Sequence, residues 1–232
     1  MMTRTNLPNR MNTGMGDASD LSWMLQALLE GWGGPNLIAA YEKERRPIAV
    51  RNGQTSTKNF AIWQTGKDKI LDDTPEGGDQ RRMTGENMAA NMRQEFQSLG
   101  LALGYNYADS PLVVPDGSEA PADDPEVYIQ TARPGHRAPH CWLEQDKSTV
   151  DLFGDGFVLF RFGPGPADDT RLEEAAAKVG LPLRSMAIPS KKAAELYERR
   201  LALVRPDGMV AWRGDSLPTN VDELVDRVRG AT

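Results

Sequence analysis

One cysteine and two histidines in 232 residues remove several possibilities at the outset. Cys141 has no second thiol to pair with. That excludes an internal disulfide framework and fits a reducing compartment, with the cytoplasm as the default. His136 and His140 are four residues apart, but Pro134-Gly135 and Pro139 bar the helix that would put both on one face. No third ligand is placed to join them, so no metal site is expected. Lys and Arg number 27 against 33 Asp and Glu, a net charge of −6 that gives no electrostatic case for nucleic acid or an anionic membrane. No apolar run approaches the roughly 20 residues of a spanning helix. No apolar stretch follows Arg4 and Arg10, so the N-terminus is not a signal peptide. Asp17, Asp20 and Glu30 form no paired acid/base set, and no nucleophile–base constellation is spaced for catalysis. No residue is assigned a catalytic role.

What is present reads as two grammars. Leu21, Met24, Leu25, Leu28 and Trp32 recur at helical spacing and predict a helix over 17–32, with Asp17 as its N-cap and Gly33-Gly34-Pro35 as its stop. Asn36 to Arg45 predicts a second helix, and Pro47 opens a third that continues to Trp63. Leu71 to Gln80 reads as a polar loop. Met88, Met92, Phe96 and Leu99 mark one face of a fourth helix. A Pro/Asp/Gly-rich stretch over 114–125 is the boundary candidate.

Beyond it, Ser148 to Leu152 and Phe157 to Phe162 read as strands, the second nearly all apolar and so central in a sheet. Thr170-Arg171-Leu172-Glu173 is a capping box, and Gly180 ends the helix it opens. A strand over 181–188 and a short helix over 190–197 follow. Arg205-Pro206-Asp207-Gly208 is a type I turn between Leu201–Val204 and Met209–Trp212. Asn220 caps a last helix with Val221, Leu224, Val225 and Val228 facing inward. Strand, helix, strand, helix, strand, strand, helix resembles the thioredoxin fold, but Gly163-Pro164-Gly165-Pro166 stands where redox thioredoxins carry C-x-x-C. Dithiol chemistry is therefore excluded.

Four blocks carry a further resemblance. Met11-Asn12-Thr13-Gly14-Met15-Gly16-Asp17-Ala18-Ser19-Asp20-Leu21-Ser22-Trp23 reads as a polar loop entering a helix. Tyr41-Glu42-Lys43-Glu44-Arg45-Arg46-Pro47 is the second. Leu99-Gly100-Leu101-Ala102-Leu103-Gly104-Tyr105-Asn106-Tyr107 is the third. The fourth runs from Ala132 to His140 and from Ser148 to Gly154. In this order they resemble the FAD-dependent aromatic-ring hydroxylases, the single-component flavoprotein monooxygenases, and most of all the branch acting on phenols and polyketide aromatics. The resemblance implies an α/β chain with a mainly helical remnant of the FAD and substrate domain over 1–124, then a thioredoxin-like domain over 125–232 that lacks C-x-x-C.

It also implies FAD as cofactor, NAD(P)H as co-substrate, and a phenolic or polyketide aromatic as substrate. Met11, Asn12, Thr13, Gly14 and Asp17 are then the flavin contacts, the amides near Met11 and Asn12 facing the ring at a helix N-terminus. The family's G-x-G-x-x-G fingerprint and its G-D-A-x-H segment are absent. The expectation is thus a C-terminal part, inactive alone, that binds FAD weakly or not at all and pairs with itself or with an N-terminal flavoprotein. The competing expectation is a non-catalytic thioredoxin-like interaction or oligomerisation module. Two structural expectations accompany these. The Glu42–Arg46 charge run is expected as a solvated helix face, the alternative being that Arg45-Arg46 hold the helical region against the cofactor domain, and the N-terminal helices have no sheet on which to bury their apolar sides.

Overall fold

Phe157–Phe162 (β3) is the strand around which the chain is organised. In the computed structural model, which describes residues 7–64, 73–91, 97–163 and 170–232, it is buried at every position but Arg161. Its odd and even residues point to opposite faces, as a pleated strand requires. Leu183–Ile188 (β4) pairs with it in parallel, and Leu201–Val204 (β5) antiparallel on its other side. Val210–Gly214 (β6) pairs antiparallel with β5, giving the order β4-β3-β5-β6. This is the expected thioredoxin-like arrangement. Thr170–Lys178 (α5) makes the crossover from β3 to β4, and Lys191–Tyr197 (α6) and Val221–Val228 (α7) complete the unit. The expected Asn220 cap is in place, and Ser190 caps α6 as well. Ser190 Oγ accepts from the Ala193 amide and Asn220 Oδ1 from the Glu223 amide, each at 3.2 Å. Gly208, at φ 80°, turns β5 into β6.

The helical half departs from its expectation in four places. First, Leu7–Glu30 (α1) is a single helix, so Met11–Gly16 is not a loop and Asp17 is not an N-cap. The helix already includes Leu7–Arg10, and nothing between Asn9 and Asp17 forces the chain out of it. Second, Leu37–Gln64 (α2) runs through Pro47 without a break. Pro47 and Lys43, whose carbonyl Pro47 cannot serve, are both exposed, so the missing hydrogen bond falls on the solvent side of the helix. Third, Pro75–Asn91 (α3) is helical where a loop to Gln80 was expected. Thr74 Oγ1 accepts from the Gly77 amide at 3.0 Å, and Pro75 and Glu76 fill the first turn. Fourth, the expected Met/Phe helix is not one element. Met88 belongs to α3, Met92 and Phe96 lie outside the described residues, and Leu99 opens a separate short helix, Leu99–Leu103 (α4), exposed rather than in a core.

One strand expectation also changes. Trp142–Glu144 (β1) and Lys147–Ser148 (β2) form a small hairpin, and Val150–Leu152 is a 3-10 turn. The Asp151 carboxylate accepts from both the amide and the hydroxyl of Ser148, and this local bonding displaces the strand.

Both faces of the sheet are covered. Val158, Phe160 and Phe162 pack with Ala193, Tyr197 and the 132–141 segment. Phe157 and Leu159 pack with α5 and α7, and with Trp23, Met24, Ala27, Trp32, Leu37 and Ala40 of the N-terminal helices. The expectation that those helices lack a sheet is therefore corrected. The indoles of Trp23 and Trp32 stack at 6.4 Å and meet Phe157 edge-on at 6.1 and 6.4 Å.

Candidate functional site

The first turns of α1 lie against α2, and a buried polar seam joins them. Asn12 and Gly14 are exposed, while Thr13 and Asp17 are partly buried. A Cβ at Gly14 would meet nothing within 4 Å, so the helix backbone is open to a flat ligand there. Arg45, from α2, is 5% exposed and reaches across. Its Nε donates to Asp17 at 2.7 Å and its Nη2 to the Thr13 carbonyl at 3.2 Å. Its Nη1 donates to Tyr107 Oη at 2.7 Å and lies 3.5 Å from Asp20. Tyr107 in turn donates to Asp20 at 2.5 Å. Asn52 Nδ2 donates to Thr13 Oγ1 at 3.1 Å, and the buried Oδ1 of Asn52 has no protein partner.

The seam thus brings Thr13 and Asp17 to one guanidinium and leaves Asn12 and Gly14 facing outward. Met11 lies on the same helix. Its amide and that of Asn12 are interior helix amides, which bond to carbonyls four residues back. The expected role for these amides at a helix N-terminus is therefore corrected, because the helix is already formed from Leu7 onward.

A second cluster lies deeper, between the β5–β6 turn and α2. Arg205, at the turn between β5 and β6, is fully buried. It donates to both oxygens of Glu44, at 2.6 and 2.8 Å, and to Asp207 at 2.5 Å. The Ser110 hydroxyl donates to Glu44, and Trp23 Nε1 to Asp207 at 3.0 Å. The guanidinium also faces the rings of Trp23 at 5.2 Å and Tyr107 at 5.4 Å. Burial opposes its charge, but Asp207 and Glu44 hold its pKa well above the ordinary value. Asp20, beside both clusters, is pushed up to about 7, chiefly by burial and then by the Asp207 carboxylate. The same burial, with the Asp20 carboxylate, raises Tyr107. Glu44 and Arg45 are therefore not part of a solvated face. Only Glu42 and Arg46 form the exposed i,i+4 pair that the charge run suggested.

His136 is buried, and the His140 ring meets exposed Trp142 edge-on at 5.0 Å. Among the described residues no group of three His, Cys, Asp or Glu side chains could hold a metal. None of the described helices is long and apolar enough to cross a membrane. Of the residues that matter here, Arg45 had a sequence signal, its place in an acidic and basic run before Pro47. The pairing of Arg205 with Glu44 had none, because it spans 161 residues, and the turn that holds Arg205 and Asp207 was legible only as a turn.

Residues 131–232 match the family model "Aromatic-ring hydroxylase, C-terminal", and residues 10–56 match "FAD binding domain". The chain is 36% identical to the FAD-dependent monooxygenase apdD of Emericella nidulans, over 94% of this chain and 37% of that protein. It is 29% identical to aklavinone 12-hydroxylase RdmE of Streptomyces purpurascens, over 94% of this chain and 39% of that one. Among solved structures it is similar to the rebeccamycin biosynthetic enzyme RebC with reduced flavin. That match has 40% identity and a TM-score of 0.84, and covers 96% of this chain and 42% of RebC. It is also similar to the flavin-dependent monooxygenase PieE in complex with FAD and substrate, at 29% identity and TM-score 0.78, over 97% and 45%. The chain spans about two fifths of the length of the relatives it matches.

Proposed function

We propose that this chain, which belongs to the FAD-dependent aromatic-ring hydroxylases, supplies the C-terminal, ring-facing part of a monooxygenase that hydroxylates a phenolic or polyketide aromatic with NAD(P)H as reductant. Supporting this are the two family matches, which fall on either side of the 114–125 stretch and follow the proposed division into 1–124 and 125–232. The observation that carries the site is the α1–α2 seam. Asn12 and Gly14 are presented outward from a turn whose inner side is fixed by Arg45.

These residues suit a flavin ring. Gly14 leaves the helix backbone open to a flat group, and Asn52 Oδ1 is an unpartnered acceptor beside Thr13. Met11, Asn12, Thr13, Gly14 and Asp17 would line that contact. FAD, when bound, supplies the activation of dioxygen for insertion into an electron-rich ring. The chain's own contribution is position and electrostatics, as in cofactor enzymes where the protein holds and tunes the group that does the chemistry. Met15, Leu25 and Leu29 lie exposed along the solvent side of α1 and offer an apolar surface to an N-terminal flavoprotein segment or a second copy. The single thiol, Cys141, is buried and unpaired, which supports a cytoplasmic location.

The test is a titration of the purified chain with FAD, followed by flavin fluorescence. Ring contacts alone, without pyrophosphate and adenosine contacts, must overcome an association cost of several kcal/mol. The expected dissociation constant is no tighter than roughly millimolar, about −4 kcal/mol. NADPH or NADH oxidation with added FAD and a panel of phenols should stay at the free-flavin background. Phenol-dependent turnover by the chain alone would overturn the proposed division of labour. Absence of any flavin effect at 12–17 would favour the interaction-module reading.

A further inference from the structure

We propose that Arg45 is a positioning residue, whose guanidinium fixes the Thr13–Asp17 turn for a flavin ring. The inference rests on that turn being the ring-facing one, and goes beyond it by naming what holds the turn. Thr13 and Asp17 are one helical turn apart. Arg45 grips that turn twice, at the Thr13 carbonyl and the Asp17 carboxylate, with two different nitrogens. Its third nitrogen is anchored from behind by Tyr107 and Asp20. The Tyr105 ring lies 5.5 Å from the guanidinium carbon. Every edge of the planar group is therefore occupied, and the turn is fixed in rotation as well as in distance.

Gly16 belongs to the same device. A Cβ there would sit 2.9 Å from Arg45 Nη2, so the glycine leaves the space the guanidinium fills. A lysine cannot replace this fork, because a single ammonium cannot serve two acceptors and a phenol in one plane. The outward residues Asn12 and Gly14 are carried by the gripped turn. Small misplacements of groups that contact a reacting centre are costly to rate, which gives the grip a functional consequence.

The experiment uses the full chain. Amide hydrogen exchange is read by mass spectrometry at 13–17 and, as a measure of global opening, at 201–204. Arg45→Lys is expected to speed exchange at 13–17 at least tenfold more than at 201–204. Glu44→Gln, which weakens the Arg205 cluster without touching Thr13 or Asp17, is expected to move both segments alike. Gly16→Ala separates the grip from ordinary helix stability. Helix propensity alone makes exchange at 13–17 slower, whereas displacement of Arg45 makes it faster. Equal acceleration of both segments in Arg45→Lys, or slower exchange in Gly16→Ala, would overturn the proposal. A second readout follows amide shifts of the wild-type chain on addition of FAD. Shifts centred on 12–17 that shrink several-fold in Arg45→Lys support it. Absence of such shifts in the wild type would overturn the flavin reading beneath it, while the exchange ratio separately decides whether Arg45 grips the turn.

Discussion

Asp20 is the residue whose protonation the fold most clearly controls. Its folded pKa of about 7 lies above the ordinary carboxylate value of 3.8, so the folded state binds the proton more tightly than the unfolded chain. Stability from this group is therefore fully present below about pH 4 and is lost as pH rises through 7. Asn at the same position keeps an acceptor for Tyr107 and carries no charge. Urea melts of the wild type are expected to weaken between pH 5 and pH 8, by an amount on the order of a few kcal/mol. Asp20→Asn should flatten that slope. An unchanged slope in the variant would show that another group sets it. Arg205 provides a sharper contrast. Truncation to Ala leaves Glu44 and Asp207 buried without their cation, and loss of one partner from such a buried set costs about 3–5 kcal/mol. The same urea assay at pH 7 measures this. A loss under about 1 kcal/mol, the range of exposed pairs, would mean that water reaches the cluster.

Elements were legible in the sequence where their cause is local. β3, the β5–β6 turn and α7 were readable because an apolar run, a Pro-Asp-Gly turn and an Asn cap act within a few residues. α2 was not, because the cost of Pro47 depends on whether the Lys43 carbonyl faces water, which only the packed helix decides. The start of α1 was missed for a related reason. Polar and glycine residues over 11–16 look like a loop until Arg45 and Asn52 are seen to hold them. Gly34 shows a similar limit. The sequence marks it as a helix stop, yet its amide donates to the Arg229 carbonyl at 2.6 Å. A Cβ there would lie 2.2 Å from the Gly230 carbonyl oxygen. Backbone on both sides cannot yield as a flexible side chain would. Gly34→Ala is expected to lower stability by about 1–3 kcal/mol, the range for overpacking. Deleting residues 230–232 from that variant should recover part of the loss, and a variant as stable as wild type in thermal melts would contradict this contact.

At the scale of the whole molecule, ancestry and folding divide the chain differently. The family matches fall on either side of 114–125, but one hydrophobic cluster crosses that line. Trp23, Met24, Trp32 and Leu37 cover the face of the sheet that carries Phe157 and Leu159. Each such side chain, fully buried, contributes roughly 1.5–3 kcal/mol. Glu44 adds the ion pair without which Arg205 would keep only Asp207. A segment of 125–232 alone would therefore expose an apolar sheet face and a half-paired buried cation. The full chain is expected to unfold in urea as one unit, with tryptophan fluorescence, which senses the Trp23–Trp32 stack, and far-UV circular dichroism giving coincident transitions. The 125–232 segment expressed separately should give a broad, shallow transition and self-associate in sedimentation. Should that segment instead melt cooperatively at the full chain's midpoint, the helices would be attached to the sheet without supporting it. The buried α1–α2 surface would then have to be explained by what it presents, not by what it holds together.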